Sequence, residues 1–222
     1  MKTCVYTCIT GNYDNLSGIF PNQSANVDFI CYTDNQALKY RSGNWDIRLI
    51  PPELRRLQPV KQQRIVKACP HRYLLEYDVS MWIDGNISII SDVMEFISRY
   101  NLDRIHIFTR RHPFRNCIYE EEKKVLQLKK DFPSITNRQI ERYRRDGFPK
   151  SFGLHETGIM LRRHNETDAK TFGNMWAKEI MDGSHRDQLS FDYCRWKLGI
   201  SIGQLATDKL TEDRTFRWRE HG

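Results

Sequence analysis

"YDVSMWIDGNIS" spans Tyr77–Ser88, and its interpretation decides the fold. Met81, Trp82 and Ile83 have the bulk of a buried strand. The chain then shows Asp84-Gly85-Asn86 and returns to apolar residues at Ile87, Ile89 and Ile90. Asp, Gly and Asn are turn formers, so one interpretation is a turn between two strands. The other is a ligand site at the carboxyl end of a sheet strand, where open α/β sheets bind their ligands.

The surroundings of this stretch bear on the choice. Cys4–Thr10, Val27–Thr33, Asp46–Ile50, Ile105–Thr109 and Thr157–Leu161 are rich in β-branched and aromatic residues and stop at turn signals, and a further strand is expected within Tyr73–Ile83. Helical periodicity covers residues 58–70, Ser91–Tyr100, Glu120–Lys130, Asn137–Arg145, Thr171–Met181 and Asp187–Leu198. Strands alternating with helices predict an α/β sandwich with a mostly parallel central sheet flanked by helices. Gly11–Asn15, Asp34-Asn35 and Asp84-Gly85-Asn86 then share one edge, at the strand C-termini.

The chain has 222 residues, 39% of them hydrophobic and 28% charged, which fits one soluble globular domain. No apolar run reaches the ~20 residues of a membrane helix. The N-terminus runs straight into a strand pattern without a secretory signal, and the expectation is a cytoplasmic protein. The formal charge of +7 suggests an anionic partner: nucleic acid, a nucleotide or diphosphate, or an acidic membrane surface. The six cysteines are scattered without C-x-x-C spacing, which argues for buried reduced thiols rather than a zinc site or disulfide framework.

Four constellations carry possible chemistry. Asp84 offers a hard oxygen for Mg²⁺ or Mn²⁺ or for a ribose, Gly85 a close approach, and Asn86 a neutral oxygen or a donor. In Ser184–Phe191, Ser184 or Asp187 is either a helix cap or, with Gln188, a pair projecting into a pocket. Glu156 is either a solvated loop carboxylate or a pocket acid. Thr109–Glu120, with Arg110, Arg111, His112 and Arg115, is either a basic surface loop or a diphosphate clamp.

The set "YTCITGNYDNL", "FICYTDN", "SMWIDGNISI", "TRRHPFRNCIYEE", "HETGIMLRRHN" and "HRDQLSFDY", in this order, resembles a domain-of-unknown-function family that includes plant glycosyltransferase-like proteins linked to mucilage and cell-wall polysaccharide. The resemblance covers roughly residues 1–200. It implies a GT-A type glycosyltransferase with a Rossmann-like sheet, a nucleotide-sugar donor and a divalent metal. The Asp-Gln pair also looks like that of retaining family 8 galactosyltransferases. One departure is plain: Asp-Gly-Asn replaces the usual Asp-x-Asp, and Asp78 would restore the second carboxylate only if the strand ended sooner.

On that resemblance, a single domain is expected, with a nucleotide-binding half over about 1–100, an acceptor half over about 101–200, and a tail or lid over 201–222. Tyr6, Thr7, Gly11 and Tyr13 would line the nucleotide, with Asp34 near the base or ribose. Arg64 and Lys67 would meet the diphosphate or support the Asp84-Gly85 loop, joined by His112 and Arg115. Asp84 and Asn86 would hold the metal. Glu156 and Asp187 would face the glycan or other hydroxyl acceptor, with Gln188 near the anomeric region. A nucleotidyltransferase of related fold would want a Gly-rich phosphate loop after the first strand, and only Gly11 is there. A nucleic-acid-binding domain would want clustered basic residues interleaved with aromatics, whereas Glu120-Glu121-Glu122-Lys123-Lys124 mixes the signs.

Overall fold

Strand β1 (Thr3–Ile9) is buried along its whole length and pairs in parallel on both sides. That explains why TCVYTCI has almost no polar alternation: a strand covered on both faces reads as a continuous apolar run. The computed structural model describes residues 1–40, 43–206 and 214–220. After β1 come β2 (Val27–Thr33), β3 (Asp46–Leu49), helices α1 (Pro59–Ala68) and α2 (Pro70–Tyr73), β4 (Val79–Ile83), β5 (Ile87–Ile89) and α3 (Val93–Ile97). The second half holds β6 (Ile107–Arg111), α4 (Ile118–Gln127), α5 (Pro133–Arg145), β7 (His155–Arg162), α6 (Thr167–Asp182), α7 (Gln188–Leu198), β8 (Gly203–Gln204) and β9 (Phe216–Trp218).

Seven strands form one mostly parallel sheet in the order β3-β2-β1-β4-β7-β6-β8, with β7 antiparallel to both of its neighbours. Period-two alternation divides its core between two faces. Tyr6, Tyr32, Trp82 and Met160 pack with Phe172, Trp176 and Phe191 on one side. Val5, Phe29, Met81 and Leu161 pack with Phe96, Phe108 and Phe216 on the other. All six cysteines are buried free thiols. No helix among the described residues is long and apolar enough to cross a membrane.

The strand order also locates the site. From β1 the chain moves to β2 and β3 on one side, then returns to place β4 on the other side. The loops after β1 and β4 therefore part at a topological switch point, where such sheets bind ligands.

The strand expected within Tyr73–Ile83 is there, as Val79–Ile83, and Pro70–Tyr73 before it is helical. Asp78 precedes that strand and accepts the backbone N–H of Lys2 at 2.7 Å. Five strand residues at ~3.3 Å each separate it from Asp84, so it cannot serve as a second carboxylate there. The tail is partly built into the fold: β8 joins β6, and β9 pairs with β5 so that Ile87 faces Trp218. Residues 207–213 and 221–222 of the expected lid lie outside the described residues.

Candidate functional site

Beyond the carboxyl ends of β1 and β4 opens a cleft of about 1060 Å³. One wall is the β1 loop from Cys8 to Asp14 together with Gln58–Arg64 at the start of α1. Asp84, Asn86, Glu156, Thr157 and Gly158 line it from β4 and β7, and His112–Arg115, Lys130 and His185–Gln188 from the second half of the chain. Pro59 opens α1 without needing a hydrogen-bond partner for its nitrogen. Its ring also lies close behind Gly11, whose φ of +64° suits glycine.

The centre of the cluster is Lys67, 1% exposed, on the last turn of α1. Its Nζ lies 2.7 Å from Asp187 Oδ2, 3.2 Å from Asp84 Oδ1 and 3.0 Å from Thr157 Oγ1. Arg64, one turn earlier on the same face, reaches Asp187 Oδ1 at 3.7 Å and Asp84 Oδ1 at 3.9 Å. Burial acts to raise the Asp187 carboxyl, but Arg64 and Lys67 outweigh it and hold the group well below the usual carboxylate range. Although Asp187 occupies the cap position of α7, its side chain makes no cap hydrogen bond. Of the two interpretations open for Asp187, helix cap or pocket acid, the cap is thus excluded.

Asp84 is held from several directions. Its N–H donates to Gly158 at 2.9 Å, and Trp82 Nε1 donates to Oδ1 at 2.8 Å. Among the described residues, the hydrogen bonds and ion pairs of this carboxylate fall on Oδ1. Oδ2 stands beside Gly158, 3.5 Å from where a Cβ there would lie.

Glu156 and Thr157 reach the cleft through a bulge. Between Thr109 and Arg110 the β6–β7 register shifts from Met160 to Glu156, so Thr157, Gly158 and Ile159 leave the ladder. The Thr109 hydroxyl fastens the bulge from between the carbonyls of Glu156, at 2.6 Å, and Ile159, at 2.8 Å, which share its one proton. Bulges of this kind re-aim side chains next to active sites. Burial raises the Glu156 carboxyl, Asp84 adds to the effect, and Arg110 and Lys67 oppose it. Its Oε2 is buried without a hydrogen-bond partner among the described residues. Below Glu156, Asp192 fixes the start of β7 by accepting the His155 N–H at 2.8 Å and lying 2.7 Å from its Nδ1.

Several residues expected at the nucleotide stand elsewhere. Tyr6 is in the core, its ring edge-on to Trp82 at 5.1 Å and its hydroxyl donating to the Lys67 carbonyl. Thr7 is likewise buried behind the cleft. Both lie within the part of β1 covered on both faces, and the strand reaches the opening only from Cys8 onward. Asp34 accepts the Gly11 N–H at 2.9 Å and so fastens the β1 loop rather than lining the cleft. Gly85 does admit a close approach, but by Asp14: a Cβ at Gly85 would meet that side chain at 3.0 Å. Asn86 lines the cleft, and its amide nitrogen donates to the Arg219 carbonyl at 3.1 Å. Gln188 does so too, donating to the His155 carbonyl at 3.2 Å. Gly11, Tyr13, Arg64, Asp84, His112, Arg115, Glu156 and Asp187 all line the cleft, and Lys67 lies beneath it.

Trp218, Lys130 and Arg186 line the cleft without having been singled out in the sequence. Only the tertiary fold brings Trp218 there, since its strand pairs with β5 across the chain.

The donor set bears on a metal. Among the described residues no group of three His, Cys, Asp or Glu side chains is arranged to hold one. Mg²⁺ and Mn²⁺ are commonly held by one or two carboxylates plus substrate phosphates. Asp84 Oδ2 fits that mode, and an all-protein cage does not.

The mostly parallel sheet with a cleft at its switch point is the fold of GT-A glycosyltransferases. Solved structures of glycosyltransferases share the fold. Mouse xyloside xylosyltransferase 1 matches with a TM-score of 0.51 at 10% identity, covering 92% of this chain and 84% of that one. The bifunctional glycosyltransferase WbbM matches with a TM-score of 0.58 at 10% identity, covering 92% of this chain and 38% of that one. The chain belongs to the family described as TOD1/MUCI70, glycosyltransferase-like domain, which matches residues 1–217. Two curated relatives from Arabidopsis thaliana are an alkaline ceramidase, TOD1, and a probable hexosyltransferase, MUCI70. The first is 27% identical over 173 residues, 72% of this chain and 37% of the relative. The second is 24% identical over 161 residues, 68% of this chain and 27% of the relative. The matched segments thus span about a third of those proteins.

Proposed function

We propose that this chain transfers a sugar from a nucleotide-sugar donor, a UDP-sugar, to a hydroxyl of a glycan or other acceptor. The observation that carries this proposal is the ion-paired cluster of Lys67, Arg64, Asp84 and Asp187 at the switch point of the sheet. The cleft above it has the size of a cofactor-sized ligand site. The nucleotide lies along the β1 loop and α1, with the diphosphate towards Asp84. A divalent cation, Mn²⁺ or Mg²⁺, held by Asp84 and the diphosphate would offset charge on the leaving group.

In the transfer, the bond from the anomeric carbon to the diphosphate oxygen breaks and its electron pair leaves with UDP. The acceptor oxygen bonds to that carbon, and its proton goes to the Glu156 carboxylate. Glu156 suits this part because burial raises its pKa and its Oε2 has no hydrogen-bond partner among the described residues. Asp187 suits it poorly, since Lys67 and Arg64 occupy both its oxygens. Its part is to fix Lys67 beneath Asp84.

The test is to titrate the chain with UDP-glucose and UDP-galactose, with and without Mn²⁺, following thermal stability and UDP release, with ATP and DNA as controls. Stabilisation and UDP release specific to nucleotide sugars support the proposal, and no response to any of them sinks it. Because one relative is named an alkaline ceramidase, ceramide is a further arm, and its turnover without any nucleotide-sugar response would replace transfer with hydrolysis.

A further inference from the structure

The cleft wall supplied by the second half of the chain carries more positive charge than its own carboxylates match. Arg115 is paired with Glu121 at 2.7 Å, and His185 Nδ1 lies 3.1 Å from Asp131. Lys130 and Arg186 line the same wall with no ion pair or side-chain hydrogen bond to any described residue. The Arg186 Nε is buried without a hydrogen-bond partner among the described residues. The two groups feel one another: burial first, then the charges of Arg186 and Arg115, push the Lys130 ammonium below its ordinary pKa, against the opposing pull of Glu121. Glu121 and Asp187 act on these cations without forming an ion pair with either, so their mutual repulsion is only partly offset, and an arriving anion relieves it.

Between His112 and Arg115 the Phe114 ring lines the cleft with 86% of its surface exposed. An apolar ring left in water at a cleft mouth suits the C–H face of a pyranose, and cations beside it suit that sugar's charged substituent. Lys130 and Arg186 come from the residues after α4 and before α7, away from the β1 loop and α1 that form the nucleotide wall.

We infer that the acceptor is an anionic sugar, bearing a carboxylate or a phosphate, with its charge against Lys130 and Arg186 and its ring over Phe114. The word acceptor rests on the transferase proposal, whereas the anion site does not. Arg115 and His112, expected at the donor, then belong to the acceptor wall.

The experiment titrates the whole chain, without nucleotide, with methyl glucoside, glucuronate and glucose 6-phosphate by ligand-observed NMR, and separately with UDP. At least one charged sugar should bind about tenfold more tightly than methyl glucoside, the gain expected of a charge-assisted contact. Which of the two it is distinguishes carboxylate from phosphate. Lys130→Gln and Arg186→Gln should each remove most of that preference while leaving methyl glucoside and UDP binding as in the unmodified chain. Equal binding of the three sugars overturns the inference, as does a preference that survives both substitutions. Loss of UDP affinity in step with the charged sugar also overturns it, by assigning these cations to the donor diphosphate. If a variant fails to fold, the unmodified chain at rising salt decides, because only a charge-based preference shrinks with screening. Failure of UDP to bind the unmodified chain would defeat the transferase proposal and leave the sugar comparison standing.

Discussion

Lys67 Nζ stands 2.7 Å from Asp187 Oδ2, joining the last turn of α1 to the residue before α7, with both side chains almost wholly buried. The ammonium also meets Asp84 Oδ1 at 3.2 Å. One lysine thus fixes two carboxylates from the two halves of the sequence, and Arg64 backs it up. The arrangement also explains the buried Arg162 of β7. Its guanidinium donates to the Lys67 carbonyl at 2.8 Å and to the Tyr6 hydroxyl, anchoring the backbone that carries the lysine.

Replacing Lys67 with Met should therefore cost more than a surface pair. Removing one partner of a buried ion pair typically costs about 3–5 kcal/mol, because it leaves an uncompensated charge. Urea denaturation should show a loss of that order, and adding Asp187→Asn to Lys67→Met should recover part of it. Asp187 ionises far below its unfolded range of ~3.9. The contribution of the pair is accordingly complete above that range and is lost as pH falls towards the native value. An additive double variant would show that the pair is not coupled.

Asp84→Ala tests the donor end. It removes the carboxylate whose Oδ2 takes no hydrogen bond among the described residues, while leaving Asp187 to hold Lys67. Titration calorimetry should find UDP affinity in Mn²⁺ reduced at least about tenfold, to the level measured without metal. Metal-dependent binding that survives unchanged would remove Asp84 from the site.

Much of this was legible in the sequence, for physical reasons that can be named. The apolar runs Cys4–Thr10 and Val27–Thr33 announce buried parallel strands, and the polar residues that follow them locate the sheet edge. Asp84 stood out as a carboxylate at the end of a buried strand, costly without a partner, and Asp187 as one of an Asp-Gln pair before a helix. The partners were less legible. Arg64 and Lys67 are visible as one helix face, but that Lys67 bridges Asp84 and Asp187 depends on how α1 lies across the sheet. Asp34 and Gly85 were assigned to the ligand when they hold the β1 loop, because turn chemistry and ligand chemistry use the same residue types. The bulge that aims Glu156 leaves only Gly158 as a trace in the sequence.

Glu156 predicts a pH signature. Burial raises its pKa, so the ionised form needed to accept a proton is depleted at a pH where an ordinary glutamate, at ~4.3, is already charged. The acid limb of kcat/KM should lie above that value and should disappear in Glu156→Gln along with most of the rate. The same shift carries a stability effect of opposite sense to that of Asp187: it favours the fold at low pH and is lost as pH rises through the native pKa. An acid limb that persists in Glu156→Gln would assign the proton to another group, such as the departing phosphate.

Gly85→Ala separates a ligand-facing glycine from a packing glycine. A methyl group there would lie 3.0 Å from Asp14 Oδ2, 3.1 Å from Asp14 Cβ and 3.2 Å from Ile9 Cγ1. The Gly85 carbonyl is meanwhile tied to Ser17 at 3.2 Å and to Arg219, so the Asp84–Asn86 turn has little room to retreat. The substitution should cost about 1–3 kcal/mol in urea denaturation, the range for overpacking. UDP affinity should fall with it, because the β1 loop is displaced from the nucleotide wall. Asp14→Gly in the same chain makes room for the methyl and should restore part of the stability. If Gly85→Ala instead weakens UDP binding at full stability, and Asp14→Gly restores nothing, the glycine faces the ligand after all.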